Sequence, residues 1–148
     1  MMQPGRFTEL FFLDEATAFA AGHRPCALCR REDYGRFVEI WRDLQPGPSG
    51  ADEIDARLHA ERINPTTRTQ RHHDEPFESL PEGAMVIDDD VAFLVARDSL
   101  QRWTPTGYEG WRSRPRTGVA TVITPPSLVE VLRRGWDPVV PLLHPSAE

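Results

Sequence analysis

The chain changes its hydrophobic pattern midway, and that change constrains the fold more than any other feature. Helical patterns dominate up to residue 63, most clearly where Tyr34, Phe37, Ile40, Trp41 and Leu44 recur at spacings of three and four, whereas from residue 84 the apolar residues come in short, β-branched runs. Between them, residues 64–82 hold three prolines and few large apolar side chains besides Phe77 and Leu80. Helices followed by strands predict an α+β fold. The expected architecture has N-terminal helices around a Cys-x-x-Cys turn, then a small antiparallel β-rich lobe, then a C-terminal helix. The expected divisions are a helical region at 1–63, a linker or long loop at 64–82, and the β-rich lobe with its helix at 83–148. A nineteen-residue connection without structure is uncommon in a compact domain, so 64–82 reads as functional or mobile.

Local signals give each element its ends. Residues 7–13 (FTELFFL) predict a short, buried extended segment. Asp14 is placed to cap a first helix with an acidic first turn, rich in alanine and stopped by Gly22. In a second helix, Arg31 to Leu44, Tyr34, Phe37, Ile40, Trp41 and Leu44 share one face. The break Pro46-Gly-Pro-Ser-Gly50 precedes a third helix from Ala51 to about Ile63, whose apolar stripe is thin. Ala84–Ile87 and Val91–Ala96 flank an Asp88-Asp89-Asp90 turn and predict a hairpin. Ser99–Trp103 and Gly118–Thr124 predict further strands. Pro125 and Pro126 open a final helix over Ser127–Arg134, which Gly135 closes.

The length of 148 residues suits one domain, or one domain with a small appendage. All 17 basic residues are arginine, against 23 carboxylates, for a net charge of -6. This excludes a protein that coats nucleic acid through a general cation excess. Complete absence of lysine reads as GC-rich coding, so the placement of arginine says more than its number. No apolar run approaches the roughly 20 residues of a membrane span, and no export signal opens the sequence; a cytoplasmic protein without membrane contact is expected.

Charge is segregated. Residues 57–73 carry four arginines, three histidines and one glutamate, while residues 102–116 carry four arginines interleaved with Trp103, Tyr108 and Trp111. Residues 74–90 carry seven carboxylates and no cation. Arginine among aromatic residues suits a nucleic-acid backbone and its bases, and equally suits a protein-binding surface. The acidic run is also placed to neutralise a basic one within the fold.

Both cysteines, Cys26 and Cys29, sit in one Cys-x-x-Cys. In a cytosolic chain this spacing points to metal or redox chemistry. A thioredoxin-type motif follows a buried strand, but here a helix precedes the pair, so two thiolates sharing a zinc ion fit better. The stretch from Phe11 to Arg30, with its alanine-rich helix, glycine stop and Arg-Pro-Cys-Ala-Leu-Cys turn, resembles the second half of the metal-binding domain of bacterial Ada DNA-repair regulators. About 25 residues, a fifth of the chain, carry the resemblance. It implies that Cys26 and Cys29 are zinc ligands and that Arg24 lies where a DNA phosphate is touched. Arg30 and Arg31 fringe the same turn. In that family four cysteines hold the zinc, and one of the earlier pair accepts a methyl group. No cysteine precedes Cys26, so methyl transfer is not expected. Three completions stay open: ligands upstream of Met1; a histidine, foremost His23 or His59 and otherwise His72, His73 or His144; or a helix and turn kept for packing alone.

The function expected from the sequence is local binding of DNA or RNA through arginine by an Ada-like zinc-motif protein. A structural or protein-interaction module is the second reading. A metal-dependent hydrolase or nuclease using His59, His72, His73 or Asp74 is the third. No phosphate-binding glycine loop, nucleophile elbow or His-Glu-x-x-His pattern is present.

Overall fold

The computed structural model describes residues 15–25, 31–47, 49–64, 66–136 and 138, and for Thr17 the backbone alone. The expected extended segment at 7–13, the Asp14 cap and the turn carrying Cys26, Cys29 and Arg30 lie outside the described residues. The fold is α+β. Helices α1 (Glu15–Ala20), α2 (Arg31–Leu44) and α3 (Ala51–Arg62) come first. Strands β1 (His73–Pro76), β2 (Met85–Asp88), β3 (Val91–Val95), β4 (Ser99–Thr104), β5 (Gly107–Ser113) and β6 (Val119–Val122) follow, and helix α4 (Pro126–Arg133) comes after them.

The strands form one sheet in the order β1-β6-β2-β3-β4-β5, and every pairing is antiparallel. The β2–β3 hairpin turns on Asp89 and Asp90, at φ 51° and 61°, left-handed conformations that acidic residues tolerate in a two-residue loop. Both sheet edges resist a further strand. β1 is charged and ends in Pro76, which offers no N–H. β5 is kinked where its register with β4 shifts between Gln101 and Trp103, beside Gly110 at φ 85°.

Residues 64–82, expected as a linker or long loop, contain β1 and a 3-10 turn at Phe77–Ser79. β1 shows no apolar alternation because its pairing with β6 and a charge network hold it. His73 Nε2 lies 2.8 Å from Glu75 Oε2, and Arg133 of α4 bridges Glu75 and Glu130. Nor does the core divide at this stretch. Phe19, Phe37, Trp41, Ile54 and Leu58 from the helices pack in one cluster with Val86, Val95, Leu100 and Val122 of the sheet and Leu128 and Trp136 around α4. The opposite sheet face packs Met85, Leu94 and Tyr108 against Ala16 and Ala20 of α1. Alanine allows the short helix to lie close to the strands.

Helix α4 is anchored by side chains from the preceding helices. The Glu61 carboxylate accepts hydrogen bonds from the backbone N–H of Ser127, at 2.9 Å, and from its hydroxyl, at 2.5 Å. Gln45, just past α2, donates to the same hydroxyl oxygen at 2.9 Å. An acidic side chain at a helix N-terminus satisfies an orphan N–H and suits the macrodipole. Here that group comes from α3, so the cap also fixes how α3 packs on α4.

Candidate functional site

The end of α1 and one face of α3 border a solvent-open cavity of about 300 Å³ whose described lining is Ala21, Gly22, His23, Arg24, Asp55, His59 and Arg62. Gly22 stops α1 in the left-handed region, at φ 81°, with its N–H donated to Phe19 O and that of His23 to Ala18 O. The glycine serves a second purpose: a Cβ here would lie 3.1 Å from Arg62 Nε, so its absence lets the arginine cross the turn. On α3, Asp55, His59 and Arg62 stand at i, i+4 and i+7, one helical face directed at the turn.

Arg24 ties the turn to both neighbouring helices. Its Nη2 donates to Asp55 Oδ2 at 3.2 Å, its Nε lies 3.1 Å from Oδ1, and its Nη1 donates to Pro25 O at 2.9 Å. The guanidinium also sits 5.3 Å from the ring centre of Tyr34 on α2. The side chain is only 17% exposed. Arg24, implied by the resemblance to touch a phosphate, is therefore engaged in holding the turn in place. His23 keeps contact with solvent, but partial burial and then the Arg62 charge push its pKa below the ordinary histidine value; Arg24 acts in the same direction and Asp55 opposes. The imidazole is consequently neutral at physiological pH.

Two of the candidate metal ligands, His23 and His59, thus share one cavity. His72 is exposed, and His73 is held by Glu75 on β1. Among the described residues no group of three or more His, Cys, Asp or Glu is placed to hold a metal ion. The cavity itself suits a dication poorly: Arg24 occupies its one carboxylate, and Arg62 adds a positive charge. Arg31 is exposed as the first residue of α2. Sequence reasoning did not single out Arg62, although the Asp55, His59, Arg62 spacing was the signal available for finding it.

The basic clusters fare differently. In 102–116, Arg112 pairs with Asp88 and lies 4.5 Å from the Phe93 ring centre, and Arg102 Nε donates to Glu109 O at 3.0 Å. Arg114 donates to the carbonyls of Phe77, Leu80 and Ala96. Three of its four arginines are therefore engaged inside the fold, one of them by the acidic run. In 57–73, Arg57 pairs with Glu61 at 2.9 Å and Arg71 Nη1 donates to Ala60 O at 3.0 Å. Arg62 and Arg68 meet no carboxylate among the described residues. Arg68 projects from a turn in which Asn64 Oδ1 accepts the N–H groups of Thr66 and Thr67.

Set against protein-family models, curated proteins and solved structures, the chain matches none. No helix of the described residues is long and apolar enough to cross a membrane.

Proposed function

We propose that this chain binds DNA or RNA locally, through arginines that flank the cysteine turn and the end of α3. One observation carries the reading. The Arg24–Asp55 pair and the shared cavity put His23 and Arg24 beside the face of α3 on which a basic segment begins. Two stretches far apart in sequence become neighbours; Arg62 there, and Arg68 on the turn that follows α3, meet no carboxylate among the described residues. Such a patch grips phosphates although the chain as a whole carries a net charge of -6. In this reading Arg30, Arg31 and Arg68 meet the backbone, Arg62 adds positive charge beside them, and Arg24 positions the turn.

Fluorescence anisotropy with labelled single-stranded and duplex oligonucleotides across a salt series tests this. Each phosphate contact contributes about 0.7–0.9 to the slope of log affinity against log salt. Replacing Arg30, Arg31 and Arg68 with glutamine should flatten the slope by roughly two to three. Failure of the intact protein to bind any of these oligonucleotides at low salt would overturn the reading.

The same reading assigns a zinc ion to Cys26 and Cys29, where thiolate chemistry suits it and where it would cross-link the turn that presents Arg30 and Arg31. Elemental analysis of the purified protein should give stoichiometric zinc that disappears in Cys26→Ser. Metal-free protein in both cases removes zinc from the account. No methyl transfer is proposed.

A further inference from the structure

We infer that the cavity between the α1–α2 turn and α3 is a receptor for a phosphate monoester. The first reason is its charge inventory. Among the described residues, the ionisable groups facing it are His23, Arg24, Asp55, His59 and Arg62, and Arg24 and Asp55 neutralise each other. One positive charge remains among them, on Arg62, a half-buried residue that meets no carboxylate among the described residues. A guanidinium partly withdrawn from water without a counter-ion is costly, and an anion placed against it relieves that cost.

The second reason is donor geometry. Arg62 crosses the turn over Gly22, a path that a side chain at position 22 would obstruct, so its planar fork stays beside the cavity. Such a fork matches two oxygens of a phosphate. His59, one helical turn earlier, lines the same space with an imidazole that makes no hydrogen bond among the described residues. The third reason is size. About 300 Å³ lies at the lower end of small-ligand pockets and admits a phosphate with part of the group that carries it. A concave receptor of this kind accommodates a terminal phosphate, which projects, more readily than a bridging one within a strand.

Two sources share this chemistry: a small phosphorylated compound and a phosphorylated strand end. The second source alone rests on the nucleic-acid reading. Isothermal titration of the intact protein with inorganic phosphate comes first, followed by one short oligonucleotide with either a 5′-phosphate or a 5′-hydroxyl. The expected result is phosphate binding that falls at least tenfold in Arg62→Gln, falls less in Arg62→Lys, and weakens in His59→Gln, a variant at an exposed position. A 5′-phosphate that strengthens oligonucleotide binding, with that gain lost in Arg62→Gln, identifies a strand end as the source. Arg62-dependent phosphate binding with equal affinity for the two oligonucleotides identifies a small compound. Arg62-dependent phosphate binding without oligonucleotide binding keeps the cavity assignment and defeats the nucleic-acid reading. Phosphate binding that is absent at millimolar concentration, or is unchanged in both Arg62→Gln and His59→Gln with native circular dichroism, overturns the inference.

Discussion

Replacing Trp136 with alanine should lower the stability of the fold by about 3–5 kcal/mol, the range for deleting a large buried aromatic side chain. Trp136 follows α4, is 4% exposed, and closes an aromatic cluster. Its ring centre lies 6.1 Å from Phe19 of α1 and 5.9 Å from Phe37 of α2, and Phe37 in turn stacks on Trp41 at 5.8 Å. The indole N–H donates to the buried Glu15 carboxylate at 2.9 Å, and the Arg36 guanidinium lies 4.6 Å from the ring centre. One residue therefore joins the first helix, the second helix and the end of the last. Total stability for domains of this kind is about 5–15 kcal/mol, so the loss is a large share of it. Urea unfolding should show a lower midpoint at unchanged slope. Trp136→Phe should lose less, since it keeps most of the ring packing and gives up the N–H donated to Glu15. A loss below about 1 kcal/mol for alanine would mean that this cluster is not packed as described.

The elements legible in the sequence are those whose stability is local or amphipathic. Helix α2 runs over its expected span because its apolar stripe and its burial coincide at Phe37 and Trp41. The Asp89-Asp90 hairpin and the helix opened by Pro125-Pro126 were visible because their turn chemistry is written in adjacent residues. β1 and β5 were not. His73-Asp-Glu-Pro76 has no apolar alternation, and its half-buried side chains are satisfied by Arg133, fifty-eight positions from Glu75. In β5 the bulge at Gly110 breaks the alternation that marks a strand. The shared core was hidden for a related reason. Periodicity tells which face of a helix is apolar but not that Phe37 will meet Trp136.

The candidate site was legible as a set of residues but not as an arrangement. His23 and His59 stood out one at a time through the chemistry of histidine near a cysteine pair. Their common cavity depends on Arg24 reaching Asp55, a contact between residues thirty-one positions apart. Composition also overrated one cluster. Arginines 102, 112 and 114 look like a surface grip when counted, yet each has an intramolecular partner. Charge density in sequence measures what a segment offers, and the fold decides how much of it remains for a ligand.

Arg114 puts that distinction to a test, because the two readings of it predict opposite results. Its Nη2 donates to Phe77 O at 2.7 Å and Leu80 O at 2.5 Å, its Nη1 donates to Ala96 O at 3.3 Å, and its backbone N–H donates to Asp98 O at 3.0 Å. One planar group thereby fastens the 3-10 turn after β1 to the end of β3. Burial works against its charge and lowers its pKa from the ordinary arginine value, with Glu82 and Asp98 opposing, but the group stays cationic at any physiological pH. Arg114→Met keeps a long apolar stem and removes the side-chain donors from three carbonyls. Phe77 O keeps the Leu80 N–H, so two part-buried carbonyls, those of Leu80 and Ala96, lose their side-chain donor. At about 1–3 kcal/mol for a stranded acceptor, reduced by access to water, the sum should be about 2–4 kcal/mol. Lysine should recover only part of this loss, because an ammonium cannot reproduce a fork that serves three acceptors. The folded protein should bind oligonucleotides with undiminished affinity and an unchanged salt slope. An arginine serving as a surface phosphate contact would do the reverse: its loss would leave the unfolding midpoint alone and flatten the slope by about one. Thermal unfolding and salt-dependent anisotropy on the same variant separate the two outcomes, and a flattened slope at constant stability would return Arg114 to the binding surface.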